Sequence, residues 1–301
     1  MAKMTTRPSF FLLIGILLAV PTLAEDDPIK VFVSIPPQAF FVERIGGPQV
    51  EVEVLVPPGQ CPETYEIGPV QMAKLAEARL FFAIGVPLEE AILRSLKNSA
   101  PRLRVVDTRE GIELLELPAA HGHHHEEEEP HPGHSHASGE TDPHTWLDPA
   151  RAKVQAERIR LELCKVDPDR ADEYRKNLES LLKDLEAVDR RIADLLSPHR
   201  GKAFYVFHPS YGYFGDRYGL KQVAVEAEGK EPSARKLPKV IERARADRAK
   251  AVFVQPQFTA AGAAAVAKEI GGELVMLDPL SRDYLRNLED MAMKVAAALN
   301  D

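Results

Sequence analysis

Cysteine and tryptophan are scarce in this 301-residue sequence, and basic residues are outnumbered by acidic ones. Two cysteines cannot form the framework of disulfides that holds small secreted domains together. One tryptophan and an aromatic content of 7% give no sign of a surface on which sugars or bases would stack. The 46 acidic residues exceed the 38 basic ones, and the formal charge of −8 argues against nucleic acid as the main partner. A cation is the better-suited ligand for such a chain.

Long hydrophobic runs are absent as well. The apolar run of residues 10–20 is about half as long as the roughly 20 residues that a membrane-spanning helix needs. It follows Lys3 and Arg7 and precedes a short segment ending at Ala24, which is the pattern of a secretory signal peptide. We expect cleavage after Ala24. Because no cysteine follows that site for lipid attachment, we expect a soluble protein in the periplasm.

Short β-branched or aromatic runs alternate with helical patterns in both halves of the chain. The runs are residues 30–35, 50–56, 80–84 and 104–106 in the first half, and residues 203–207, 222–225, 251–254 and 274–277 in the second. Strands that alternate with helices form parallel sheets covered on both faces. The sequence therefore predicts an α/β protein with two lobes, each a four-stranded mostly parallel sheet flanked by helices.

A long helical pattern joins the two halves. Residues 171–196 contain no glycine or proline, and their apolar side chains recur at spacings of three and four residues. A proline lies shortly before and shortly after this stretch, as expected at helix ends. We predict that residues 167–198 form one rigid connecting helix between an N-terminal lobe, residues 28–166, and a C-terminal lobe, residues 200–301.

Histidine is the residue type with the most uneven distribution. Seven of the ten histidines fall in residues 118–141, a segment without hydrophobic periodicity that also carries the four glutamates of residues 126–129. The seven are His121, His123, His124, His125, His131, His134 and His136. Burial of apolar surface cannot offset the entropy of ordering such a segment, so we expect a disordered loop. Imidazole and carboxylate groups suit zinc, copper and nickel, which predicts a weak metal-recruiting loop; a solubilising loop is the alternative.

A tight metal site needs ligands on ordered elements, and two histidines outside this loop meet that condition. His208 follows the strand pattern of residues 203–207, and His144 precedes a helix that is predicted to begin near Ala150. Ligand sites in open α/β sheets lie at the carboxyl ends of the strands. We therefore predict that both histidines are metal ligands rather than packing residues. His199, near the end of the connecting helix, is assigned no role.

Two carboxylates lie at corresponding points of the chain. Glu63 follows the second strand of the first lobe, and Asp278 follows the last strand of the second lobe. Four ligands could therefore meet in a cleft between the lobes. Each acid also has a plainer interpretation, Glu63 as a solvated loop residue and Asp278 as a turn residue before Pro279. Cys61 is a rival ligand in the loop of Glu63, and a disulfide between Cys61 and Cys164 is a further alternative.

Several segments carry a resemblance to a known family. They are the Pro-Gly loop with Tyr65-Glu66, residues 142–149, residues 207–214, and Gln255-Pro256-Gln257-Phe258 with Leu277-Asp278-Pro279-Leu280. Together they resemble the zinc-binding periplasmic component of a metal ABC importer, in the zinc–manganese solute-binding family (cluster A-I). The resemblance covers nearly the whole mature chain and implies two lobes joined by a rigid helix, a histidine-rich loop and one metal ion in the cleft. The implied metal ligands are Glu63, His144, His208 and Asp278.

The chain departs from the family pattern at one ligand. The family presents histidine where this chain has Glu63, so the implied set becomes two imidazoles and two carboxylates. More oxygen makes a site more tolerant of manganese or iron. The manganese-binding relatives, however, usually carry glutamate at the position of His208 and lack such a loop. We therefore predict one tight Zn²⁺ site, with Mn²⁺ as the second candidate.

The resemblance implies a monomer that delivers Zn²⁺ to an integral-membrane ABC permease with a separate ATPase, without catalysis and without nucleic acid. The alternatives are a manganese- or iron-binding member of the family, a periplasmic zinc chaperone or buffer without a permease, and a zinc hydrolase. The hydrolase is disfavoured because the chain has no His-Glu-x-x-His run and no separate general base. Because imidazole must be deprotonated to bind metal, we expect affinity to fall steeply below about pH 6.

Overall fold

The computed structural model describes residues 27–96, 99–117, 141–226, 237–258 and 261–300. The predicted signal peptide, residues 1–24, and the seven histidines of the histidine-rich segment lie outside these ranges. The roles predicted for them stay predictions. Within the described ranges, no helix is both long enough and apolar enough to cross a membrane.

The first lobe is built on a parallel sheet with the strand order β2-β1-β3-β4. Its elements are β1 (Ile29–Val33), α1 (Pro36–Gly46), β2 (Val50–Val54), α2 (Pro69–Glu77), β3 (Leu80–Ala83), α3 (Leu88–Leu96) and β4 (Arg104–Asp107). The central strand β3 is buried along its whole length, as its unbroken apolar run predicts for a parallel sheet. In the register, Val33 at the end of β1 pairs with Val54 on one side and Phe82 on the other. The carboxyl ends of these strands therefore lie at one edge.

Two long helices follow. They are α4 (Pro149–Val166) and α5 (Ala171–Leu196). The Asp148 carboxylate caps α4 by accepting a hydrogen bond from the Ala150 amide at 2.8 Å. Pro149 suits the first position of α4, because the amide that it lacks would have no helical partner. A long helix is present as α5, whose 26 residues are fewer than the predicted range 167–198, because 3-10 turns at Pro168–Arg170 and Ser197–His199 flank it.

The second lobe repeats the topology of the first, with a parallel sheet in the order β6-β5-β7-β8. Its elements are β5 (Ala203–Val206), α6 (Gly212–Tyr218), β6 (Lys221–Ala224), α7 (Leu237–Ala246), β7 (Ala251–Val254), α8 (Ala261–Ile270), β8 (Glu273–Met276) and α9 (Tyr284–Leu299). The strand order reverses direction between β5 and β7. In sheets of this kind that point is where ligand crevices open.

The helix α5 packs against both lobes. Its buried residues are Tyr174, Leu178, Leu181, Leu185, Val188, Asp189, Ile192 and Leu196. It contacts α1 and α4 of the first lobe and α9 of the second. One hydrophobic core runs from the first sheet through α5 to α9, and a smaller core lies between the second sheet and helices α7 and α8. Lobes that share a large apolar interface move little relative to each other.

The predicted fold class is confirmed, with every strand pair of both sheets parallel. Strand ends differ from the prediction by one or two residues; the predicted run of residues 30–35, for example, is Ile29–Val33 in the structure. The helix α9 was not predicted. Its buried Leu288, Met291 and Val295 have helical spacing, but the alanines around them weaken the contrast between its faces.

Candidate metal centre

Glu63 lies in the loop that follows β2. The loop turns at Cys61, whose carbonyl accepts hydrogen bonds from the amides of Thr64 and Tyr65 at 3.2 and 2.9 Å. The Tyr65 hydroxyl in turn donates to the Gln71 side chain at 3.0 Å, which ties the loop to α2. The Glu63 side chain keeps 28% of its surface exposed. Glu63 is therefore a partly exposed carboxylate on a turn that hydrogen bonds hold in place.

His144 lies just before α4 and is held by Asp142. Oδ1 of Asp142 accepts hydrogen bonds from the His144 amide at 2.9 Å and from its Nδ1 at 2.7 Å. Both side chains are buried, with exposures of 6% for His144 and 1% for Asp142. A carboxylate that accepts from Nδ1 fixes the imidazole ring and leaves Nε2 as the atom that can coordinate a metal.

The segment before α4 is fastened to the second lobe. The Tyr213 hydroxyl donates to the Asp142 carbonyl at 2.8 Å. Trp146 donates its Nε1 hydrogen to the Pro279 carbonyl at 2.7 Å, and the Tyr284 hydroxyl donates to the Trp146 carbonyl at 2.6 Å. Three hydrogen bonds thus hold this segment of the first lobe against residues of the second.

His208 follows β5 at the point where the strand order reverses. Its Nδ1 donates to Oε1 of Glu226, a buried carboxylate that follows β6, at 2.5 Å. One face of the ring stacks on Phe258, with centroids 4.8 Å apart. Gln255, which follows β7, donates its Nε2 hydrogen to the His208 carbonyl at 3.0 Å. The ring is therefore fixed on both sides, again with Nε2 as the available nitrogen.

Glu63, His144 and His208 converge on one point. Their ligand atoms lie within 4.8 Å of one another. Oε1 of Glu63 is 3.4 Å from Nε2 of His208 and 3.8 Å from Nε2 of His144. A tetrahedral ion at about 2.0–2.2 Å from each ligand separates the ligands by roughly 3.3–3.6 Å. Nε2 of His208 is buried and has no hydrogen-bond partner among the described residues, so these atoms fit one metal ion.

The charges of Glu63 and His208 stabilise each other. Burial alone would raise the pKa of Glu63, but the close approach of His208 and the charges of His144 and His208 lower it to about 2. Burial alone would lower the pKa of His208, but its hydrogen bond to Glu226 and the closeness and charge of Glu63 raise it to about 9. Without metal at neutral pH, the proton on His208 therefore supplies the positive charge between two carboxylates.

The three side chains border a small cavity. It is lined by Pro62, Glu63, His144, His208, Ser210, Gln257, Phe258, Pro279 and Leu280. Its volume of about 10 Å³ is close to the room that one water molecule or ion needs. A larger cavity of about 610 Å³ lies at the opposite edge of the second sheet, where β5 and β7 begin, and none of the predicted ligands lines it.

Asp278 does not belong to the ligand group that the structure brings together in its described residues. Its Oδ1 accepts hydrogen bonds from Nε2 of Gln257 and from the Leu280 amide, each at 3.0 Å. The structure thus brings together three of the four predicted ligands. The role of Asp278 as fourth ligand stays a prediction. His199 is buried at the end of α5 and is also outside the group.

Both cysteines are free thiols, and no disulfide joins them. Cys61 is buried, and its Sγ donates to Oε2 of Glu63 at 2.5 Å. Burial, together with the charge of Glu63 and that hydrogen bond, raises the pKa of Cys61 to about 12, so the thiol stays protonated. Cys164 lies on α4, with Arg160 at 3.6 Å from its sulfur. Cys61 therefore contacts a candidate ligand and is not itself in the group.

Sequence reasoning missed three supporting residues. Glu226 and Gln257 each follow a strand of the second sheet at the edge where His208 and Asp278 had been placed, and this common position was the available signal. Asp142 lies two residues before His144, close enough to accept a hydrogen bond from its ring. Residues that orient a metal-ligating histidine are as much a part of such a site as the ligands.

Known proteins share this fold and much of this sequence. A model of the family Zinc-uptake complex component A periplasmic (ZnuA) matches residues 31–298. The chain is 32% identical over 269 residues to the high-affinity zinc uptake system protein ZnuA of Yersinia pestis, covering 83% of this chain and 82% of that protein. A crystal structure of ZnuA superimposes with a TM-score of 0.82 at 38% identity, covering 91% of this chain and 100% of that one. A zinc-bound ZnuA deletion mutant superimposes with a TM-score of 0.81 at 38% identity, covering 91% and 99%. The chain therefore belongs to the ZnuA family, the periplasmic component A of zinc-uptake complexes.

Proposed function

We propose that this protein captures one Zn²⁺ ion in the periplasm and delivers it to an ABC permease driven by a separate ATPase. Glu63, His144 and His208 bind the ion. The protein carries out no chemical step and acts as a monomer. Its family and the zinc uptake named for its relative in Yersinia pestis support this function.

The observation that supports zinc capture most directly is the pair of buried histidines whose rings are fixed by buried carboxylates. Asp142 and Glu226 each accept a hydrogen bond from an Nδ1 atom, at 2.7 and 2.5 Å. This arrangement sets both Nε2 atoms toward the Glu63 carboxylate before any ion arrives. Preorganised ligands lose little entropy on binding, as tight capture of a scarce ion requires.

The donor set favours zinc over manganese. Two imidazoles suit zinc, whereas manganese is served best by carboxylate, carbonyl and water oxygens in an octahedral shell. The cavity of about 10 Å³ matches a single ion better than an ion that carries several waters. Mn²⁺ is the competitor to measure, because Glu63 gives the site more oxygen than three histidines would.

The compartment and the organisation of the chain belong to the same proposal. Residues 1–24 act as a signal peptide cleaved after Ala24, and the mature chain works in the periplasm. Residues 28–166 form the first lobe, 167–198 the connecting helix and 200–301 the second lobe. Residues 118–141 collect zinc weakly. Mass spectrometry of the mature protein from its native periplasm tests the cleavage site.

Zinc binding by the purified mature protein tests the ligand set. We expect one tight site in competition with a chromophoric chelator, and loss of that site in His208→Ala and in His144→Ala. His199→Ala is the matched control, since His199 is buried in the same protein but lies outside the ligand group. Tight binding that survives His208→Ala in a folded protein would refute the assignment.

Delivery to a permease is tested in cells. Uptake of radioactive ⁶⁵Zn should be lost when the cognate permease is deleted, and should be equally low when the binding protein carries His208→Ala. A zinc chaperone or buffer would instead protect zinc-limited cells in the permease deletion. Manganese uptake measured in the same strains separates the two metals.

A further inference from the structure

Gln257 lines the cavity of the candidate metal centre and carries an amide oxygen without a hydrogen-bond partner among the described residues. Its Oε1 atom is buried and has no hydrogen-bond partner among the described residues, although the side chain lines the cavity beside Glu63, His144 and His208. A buried amide oxygen without a hydrogen-bond partner lowers the stability of the folded protein. Such an atom at a binding site indicates a partner that arrives with the ligand.

Asp278 determines the orientation of this amide. The Asp278 carboxylate can only accept hydrogen bonds, so the atom it contacts at 3.0 Å is the Nε2 donor of Gln257. The same Oδ1 accepts from the Leu280 amide at 3.0 Å, which holds the carboxylate in its turn. With Nε2 bound to Asp278, the Oε1 atom of Gln257 points away from that carboxylate.

The topology places this pair next to the histidine ligand. His208, Gln257 and Asp278 follow β5, β7 and β8, which are neighbours in the second sheet. Phe258, the residue after Gln257, stacks on the His208 ring. The group of three candidate ligands leaves one position of a tetrahedral zinc shell to be filled.

We propose that Oε1 of Gln257 completes the ligand shell of the captured ion and that Asp278 is a positioning residue acting through Gln257. This inference rests on the proposed function. It replaces a second carboxylate at the ion with a neutral amide oxygen, so the protein ligands contribute one negative charge. The carboxylate of Asp278 polarises the amide and strengthens the negative end that faces the cation.

The test uses the full mature protein, with Zn²⁺ affinity measured by chelator competition and the ligand field read from the absorption of bound Co²⁺. We expect Gln257→Leu to weaken zinc binding about 10–100-fold and to change the Co²⁺ spectrum. Asp278→Leu should weaken binding to a similar extent, and the double variant should be no weaker than either single one, because both remove the same interaction. Asp278→Asn keeps an acceptor for Nε2 and should restore most of the affinity and the wild-type spectrum.

Gln60→Leu is the matched control, since Gln60 is an exposed residue of the Glu63 loop. If Gln257→Leu fails to fold, Gln257→Met repeats the test with a side chain of similar length. Unchanged affinity and spectrum in a folded Gln257 variant would overturn the proposal. So would an Asp278→Leu effect that simply adds to the Gln257→Leu effect. Failure of the wild-type protein to bind zinc would instead refute the proposed function.

Discussion

Nδ1 of His208 lies 2.5 Å from Oε1 of Glu226, and both side chains are buried. A carboxylate at this place does two things: it holds the ring, and its charge makes Nε2 a better electron donor to a metal. The second effect can be tested without moving the ring, because glutamine offers the same oxygen acceptor without the charge.

Glu226→Gln should weaken zinc binding about tenfold, since the charged partner of a metal-ligating imidazole is replaced by a neutral one. It should also lower the pKa of His208 in the metal-free protein, since the hydrogen bond to Glu226 is a main reason why that pKa is raised. Chelator competition gives the affinity, and the chemical shifts of the His208 ring give the pKa. Glu269→Gln, at an exposed acid of α8, is the control; wild-type values for both quantities in Glu226→Gln would contradict the prediction.

Zinc binding should release about one proton at neutral pH. The pKa of His208 is raised to about 9, so the ring is protonated before the ion binds and must lose that proton. Glu63, with its pKa lowered to about 2, is already ionised and releases none. Calorimetric titration in buffers of different ionisation enthalpy counts the protons, and heats that do not depend on the buffer would refute this.

The raised pKa of His208 also changes the pH range over which the protein is expected to bind zinc. From imidazole's ordinary pKa, affinity was expected to fall only below about pH 6. With the His208 pKa at about 9, we expect affinity to fall by about tenfold per pH unit already from pH 9 downward. Affinity that is constant between pH 7 and 9 would show that the folded protein does not hold this proton.

The stability of the metal-free protein should change in the opposite direction. His208 has a pKa raised above its unfolded value of 6.5, so its contribution is fully present below pH 6.5 and is lost as pH rises through about 9. The loss amounts to about 3 kcal/mol. Urea unfolding of metal-free protein at several pH values measures it. His208→Ala should show a weaker dependence over this range.

Cys61→Ala should weaken zinc binding about tenfold, because the thiol donates the hydrogen bond that holds Oε2 of Glu63 and so directs Oε1 to the histidines. Cys61→Ser keeps a donor and should stay close to wild type. A loss of several orders of magnitude in Cys61→Ser would instead show that the sulfur binds the metal. Both variants are compared by chelator competition.

Deletion of residues 119–138 should leave the tight site intact and remove only weaker zinc sites. The composition of that segment predicts disorder, and histidines on a disordered segment are expected to bind metal weakly. Equilibrium dialysis over a range of zinc concentrations counts both classes of site. Loss of the tight site on deletion would move the proposed capture site from the cleft to this segment.

The rule that ligand sites lie at the carboxyl ends of parallel strands allowed much of the metal centre to be predicted from sequence. Glu63 and His208 follow strands of different sheets, and because ligand sites lie at the carboxyl ends of the strands, each could be placed at the edge of its own sheet that faces the cleft between the lobes. The same rule could not decide between Asp278 and its neighbour Gln257, because the direction of each side chain depends on local hydrogen bonds. The Leu280 amide and the Gln257 amide both bind the Asp278 carboxylate, and no periodicity in the sequence encodes those contacts.

The hydrogen bonds from Trp146 to Pro279 and from Tyr213 to Asp142 have a consequence for ion exchange. They tie the segment of His144 to the second lobe, so both imidazoles are anchored to residues of that lobe. Of the three converging ligands, Glu63 is the one on a loop of the first lobe outside that segment and the one with appreciable exposure. Solvent therefore reaches the site more readily beside Glu63 than beside either histidine, and we expect the rate of ion exchange to be sensitive to changes in the turn at Cys61.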